Sequence, residues 1–237
     1  MNSKKYTDEE LLRRVLYTEE IKSLIHRRVY YLAADRYEDA LRDLWVREEK
    51  WRRTASYGNN RGYCVGMDAI TRYRVASCAT PRARGRVSAH PASTGLVEPA
   101  GDGETAKGLW YCISQETNAL PEGGASALWI LEKLAVDFRR ESDGWRIWHL
   151  VTATDLSCEA GTDYSAQAVR EADGDNPGAL DFGSPTIPMR THDPTFNWWD
   201  NYPPPPAPYE TFSDAISYGP EGHPQIKKGD GDSWAKL

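Results

Sequence analysis

"ALWILEKLAVDFRRESDGWRIWHLVTATDL", residues 127–156, decides how the chain folds. Two runs rich in Trp, Ile, Leu, Val and Phe flank Ser142, Asp143 and Gly144, a strong hairpin turn. In the first run Leu128, Ile130, Leu134, Val136 and Phe138 share one strand face with Glu132. Apolar residues occupy the opposite parity as well, so the outer face is also expected to be buried, in a homodimer or a higher homo-oligomer. A second hairpin precedes the first. Residues 85–99 and 104–116 read as strands around the turn Ala100-Gly101-Asp102-Gly103. These four strands form an antiparallel meander.

Upstream the grammar is helical. Thr7 and Glu10 have the form of a capping box. Leu11, Val15, Ile21, Leu24, Ile25, Val29 and Leu32 then recur at roughly helical spacing, which predicts a helix to about residue 33. Tyr37, Leu41, Leu44 and Trp45 mark a second helix, and Met67, Ile70 and Tyr73 a short third one after Gly66. Helices followed by a meander predict an α+β domain whose curved sheet closes over the helices and encloses a cavity.

The domain is expected over residues 1–157, followed by an arm over 158–237. Residues 177–237 hold 11 of the 15 prolines, including "YPPPPAPY". Such composition points to polyproline II or disorder. The same stretch also carries Phe182, Phe196, Trp198, Trp199, Tyr202, Tyr209, Phe212 and Tyr218. Solvated linkers rarely hold so many aromatics. An arm that docks on its own domain or on a neighbouring subunit is therefore expected.

The net charge of −6 and pI near 5.5 argue against nucleic acid or an anionic membrane as partner. The one local exception is Arg82, Arg84 and Arg86, read as a solvated loop. No stretch approaches a membrane span, and the N-terminus lacks the apolar core of a signal peptide, so a cytoplasmic location is expected. Cys64, Cys78, Cys112 and Cys158 show no metal-ligand spacing and read as small buried hydrophobes. His26, His90, His149, His192 and His223 show no zinc-like spacing either, and no nucleotide loop is present. No metal and no cofactor is expected.

Residues 21–45, "IKSLIHRRVYYLAADRYEDALRDLW", resemble the opening helices of the SnoaL-like branch of the nuclear-transport-factor-2-like (NTF2-like) superfamily. "GMDAITRYRV", 66–75, resembles its third helix. "SAHPASTGLVEPAGDGETAKGLWYC", 88–112, is similar to its His-bearing strand, hairpin and following strand, and "DFRRESDGWRIWHL", 137–150, to its last hairpin. The likeness runs in order over about residues 8–155 and leaves the arm outside. It implies a cone-shaped α+β barrel with a pocket of a few hundred Å³ at the open end. Members include dehydratases, isomerases, cyclases and carbon–carbon lyases acting on hydrophobic ring compounds; others are non-catalytic binding modules or subunits, as in aromatic-ring dioxygenases. Fold alone does not choose between them.

By matching position, the resemblance implies that Tyr30, Asp35 and His90 converge in the pocket, with Tyr31 packing outside it. A neutral imidazole can take a proton, a carboxylate can hold its tautomer, and a phenol can donate to a carbonyl or a leaving hydroxyl. Each residue has a structural alternative: Tyr30 in the core, Asp35 as a helix cap, His90 as a satisfied core histidine. Glu132 among apolar neighbours is either an acid with a raised pKa or an ion-pair partner. On the last strand, parity sets His149 with Trp145 and Ile147, opposite Arg146 and Trp148. Only one of His149 and Arg146 enters the pocket, and His149 is preferred. Trp110 and Trp51 either line the cavity or pack the core. The expected function is a cofactor-independent lyase, by dehydration or retro-aldol cleavage, or an isomerase acting on an aromatic or polycyclic small molecule. The alternative is a non-catalytic ligand-binding or structural subunit.

Overall fold

The computed structural model describes residues 6–60, 62–76, 87–119, 124–162, 186–188 and 203–223. Cys78, Arg82, Arg84, Arg86, Phe182, His192, Phe196, Trp198, Trp199 and Tyr202 lie outside them.

Helix α1 spans Asp8–Ala33 and starts as its capping box dictates: Thr7 Oγ1 accepts from the Glu10 amide, and the Glu10 carboxylate accepts from the Thr7 amide at 2.7 Å. Tyr17, Ile21, Leu24, Ile25, Arg28 and Leu32 form its inward stripe. Leu11 and Val15, expected on that stripe, are exposed. Val15 precedes Tyr17 by two residues, about 200° around the helix, so it faces away. Asp35 closes the helix with φ of 55°, its amide donating to Leu32 O at 3.0 Å. Helix α2, Tyr37–Leu44, and the one-turn α3, Glu49–Arg52, follow; α4 spans Met67–Ala76.

The long strands are β4 (Ala92–Pro99), β5 (Thr105–Ala119), β6 (Ala125–Glu141) and β7 (Gly144–Glu159), joined by the two expected hairpins. Four short strands extend the meander: β1 (Ser56–Asn59), β2 (Gly62–Val65), β3 (Ser88–Ala89) and β8 (Ile187–Pro188). The order is β3-β5-β6-β7-β1-β2-β8, with β4 also on β5 and with β1 parallel to β7. Among the described residues the sheet is curved and unclosed and packs on the N-terminal helices, in keeping with the cone-shaped α+β fold expected.

The inner face packs Trp110, Leu134, Val136, Phe138, Trp145, Ile147 and Leu150 against Ile21 and Ile25 of α1. Gly95 and Gly108 make room for the Trp110 indole; a Cβ at either would overlap the ring. The outer face carries Leu109, Ala135 and Val151, and Tyr218 of the arm packs on them. Residues 203–223 therefore dock on their own domain. Asp137 accepts from Lys107 Nζ at 2.6 Å and from the Tyr218 amide at 2.7 Å, and the ammonium lies 3.3 Å from the centre of the Tyr218 ring. Tyr209 and Glu210 carbonyls accept from the Gly101 and Asp102 amides at the first hairpin. Cys64, Cys112 and Cys158 are free and buried. Among the described residues no helix is long and apolar enough to cross a membrane.

Candidate active site

His90 stands in the gap between β3 and β4, just before Pro91, which has no amide to continue a ladder. Its ring reaches the inner face of β5 and β6. Nδ1 lies 2.8 Å from Oε1 of Glu132, and Nε2 lies 2.8 Å from Oε1 of Glu116. The same Glu132 oxygen accepts from Ser114 Oγ at 2.9 Å. Glu132 is only 6% exposed. Strand parity explains the set: Cys112, Ser114 and Glu116 follow Trp110 on one face, and Glu132 is the register partner of Cys112. Burial together with Glu132 pushes the Cys112 thiol up to about 12, so the sulfur stays protonated.

An ionised carboxylate only accepts hydrogen bonds, so a ring held between two of them donates from both nitrogens. Burial works against that charge. The hydrogen bonds and charges of Glu116 and Glu132 outweigh it and raise His90 to about 9. The resting group at neutral pH is an imidazolium, not the neutral base expected.

A cleft is lined by Arg28 and Leu32 of α1, Tyr37 and Leu41 of α2, Trp45, Tyr57 of β1 and Arg74 of α4; none of His90, Glu116, Glu132 and Ser114 lines it, and the charge of Glu132 reaches it at Arg28. Its cavity volume is about 20 Å³. It is thus tighter than the few hundred Å³ expected. Arg74 donates to Tyr57 Oη at 3.1 Å, and its guanidinium lies 5.2 Å from the centre of the Tyr37 ring.

Of the expected residues, His90 and Glu132 come together and the others do not join them. Tyr30 is 77% exposed, while its neighbour Tyr31 packs against the core and donates to Asp43 at 2.7 Å. The 100° between successive helix residues turned the wrong phenol inward in the sequence reading. Asp35 sits in the α1–α2 turn; the carboxylates on His90 are Glu132 and Glu116 instead. His149 is buried on the outer face beneath the arm, bonded to Ser56 Oγ at 2.8 Å. A β-bulge between Asp137 and Phe138 shifts parity at this point and turns Trp148 into the core. Burial, then Lys107 and Arg139, holds His149 neutral, well below the usual histidine range. Trp110 is a core residue, packed edge-on against Phe138. Trp51 stacks on the Arg139 guanidinium at 3.9 Å, away from the cleft.

Three residues went unrecognised in the sequence. Glu116 was legible by parity with Trp110. Arg28 was legible as a cation on an apolar stripe, between Leu24 and Leu32. Arg74 had no such signal. Among the described residues no group of three or more His, Cys, Asp or Glu side chains is placed to hold a metal ion.

A SnoaL-like domain is matched over residues 13–151. No curated protein matches the sequence. Among solved structures, LinA is 14% identical with a TM-score of 0.52, covering 67% of this chain and 99% of that one. A proposed scytalone dehydratase from Novosphingobium aromaticivorans DSM 12444 is 12% identical with a TM-score of 0.50, covering 70% and 99%. A proposed dehydratase of the NTF2-like family from Streptomyces avermitilis is 14% identical with a TM-score of 0.50, covering 60% and 97%. At these identities the likeness is one of fold.

Proposed function

Because the chain belongs to the SnoaL-like family, we propose that it is a cofactor-independent lyase or isomerase whose proton-transfer unit is Glu132, His90 and Glu116. One observation carries this reading: a single imidazole bridges two carboxylates at 2.8 Å on each side, at the inner face of the sheet. Withdrawing a histidine and two carboxylates from water, Glu132 almost completely and His90 and Glu116 in part, is costly. A purely structural role is served better by apolar residues of similar volume.

The protonation state favours elimination. The imidazolium gives its proton to a departing hydroxyl, the C–O bond breaks, and water leaves. The proton on the neighbouring carbon passes to a carboxylate, and Glu116, the more exposed of the two, is the one a substrate reaches first. Glu132 remains beneath the ring and fixes its orientation through Nδ1. Leu32, Leu41 and Trp45 give the cleft an apolar wall suited to a ring compound.

The test is a panel of hydroxylated ring compounds incubated with the purified chain and followed by mass spectrometry. The expected product is lighter by one water, formed roughly 10²–10⁴-fold more slowly by His90→Gln and Glu132→Gln. Equal rates in all three proteins would remove the proposed unit. Ring compounds that bind tightly but are never converted would instead identify a ligand-binding member of the family.

A further inference from the structure

Arg28 is the wall residue of the cleft that the charge of Glu132 reaches. Arg28 is 7% exposed and sits on the inward stripe of α1, where its neighbours are apolar. Among the described residues it makes no hydrogen bond and no ion pair. A guanidinium has five N–H donors in a planar fork, and burying it without an anion is costly. Arg74 lines the same cleft, where it already donates to Tyr57 Oη. The acid whose charge reaches Arg28 is Glu132, whose Oε1 already accepts from His90 and Ser114.

We propose that Arg28 and Arg74 form the seat for the carboxylate of an aromatic or alicyclic acid. This names the substrate class of the site above and rests on the acid–base reading only for what happens after binding. Two features select a carboxylate. The guanidinium fork matches two coplanar oxygens. The remaining wall is Leu32, Leu41 and Trp45, which suits a ring standing at the mouth of the seat. Burial, and then Arg74, weaken the hold of Arg28 on its proton, and an anion between the two guanidiniums offsets their repulsion.

The experiment is calorimetric titration of the full chain with benzoate, benzamide and inorganic phosphate, on the native protein and on Arg28→Met, Arg74→Gln and His90→Gln. Benzoate is expected to bind the native chain and to bind Arg28→Met and Arg74→Gln about tenfold or more weakly, the scale of a lost charge-assisted bond. Benzamide, the same shape without the charge, should not compete. His90→Gln should bind benzoate as the native chain does, so the seat and the acid–base unit can fail separately. The proposal is overturned if the native chain does not bind benzoate, if benzamide binds equally, if phosphate binds more tightly, or if Arg28→Met keeps native affinity. Should Arg28→Met not fold, Arg74→Gln decides: unchanged benzoate affinity in that variant overturns the seat as well.

Discussion

Nδ1 of His90 and Oε1 of Glu132 stand 2.8 Å apart although the residues are 42 positions apart in the chain. The pair ties the short β3–β4 corner to the central strand β6, and the charge on His90 depends on Glu132. Glu132→Gln removes one of the two carboxylates that raise His90. In that variant the imidazole pKa should drop from about 9 toward its ordinary range near 6.5. An NMR titration of the ring protons reads this directly, and an unchanged pKa would show that Glu116 alone sustains the imidazolium.

Stability should follow the same group. The folded pKa of His90 lies above its ordinary value, so its contribution is complete below about pH 6.5 and is lost as pH rises through about 9. A rise from 6.5 to about 9 corresponds to at most about 3 kcal/mol. His149 has the opposite sign: it is held neutral, so its contribution is complete above about pH 6.5 and falls as pH drops. Urea unfolding from pH 5 to 10 should show a decline on the alkaline side that His90→Gln flattens and a His149 variant does not.

The two adjacent tyrosines of α1 should separate cleanly. Tyr30→Phe removes an exposed hydroxyl and should change neither melting temperature nor turnover. Tyr31→Phe breaks the bond to Asp43, which joins α1 to α2, and should lower the melting temperature. The reverse order in a thermal scan would restore Tyr30 as the inward residue.

The arm is held by a buried ion pair, Lys107 with Asp137. Lys107→Met leaves Asp137 without its counter-ion and should cost about 3–5 kcal/mol, the usual loss when half of such a pair is removed. The double variant Lys107→Met with Asp137→Leu should recover part of it. Limited proteolysis should cut within 203–223 faster in the single variant than in the native chain. Equal cutting would mean that contacts elsewhere, such as Tyr209 on Thr105, hold the arm.

Part of the outer sheet face lies outside the cover of residues 203–223. Leu96, Tyr111, Ile113 and Trp129 are exposed there, on neighbouring strands. Self-association through this remainder is expected, giving twice the 26.7 kDa chain mass by light scattering, and Ile113→Glu should return the monomer. A monomeric native chain at micromolar concentration excludes it.

The sequence by itself determined the capping box at Thr7, the first and last turns of the meander, the helix boundaries within a few residues, and the inward parity of Glu132. Each is set by contacts among residues close in the chain, or by strict alternation along one strand. What only the tertiary structure decided depends on register and on packing between distant segments. One bulge beside Asp137 moved His149 to the outer face and Trp148 to the core. Alternation cannot anticipate such a bulge, because one extra residue inverts every parity beyond it. The short strands β1 and β2 were not read at all, since four residues carry no usable period and β1 pairs in parallel with β7, far along the chain. The carboxylates that hold His90, and the meeting of Arg28 with Arg74, likewise follow from how the helices lie on the curved sheet. That placement is set by the whole core at once, because close-packed side chains leave the helices few alternative positions.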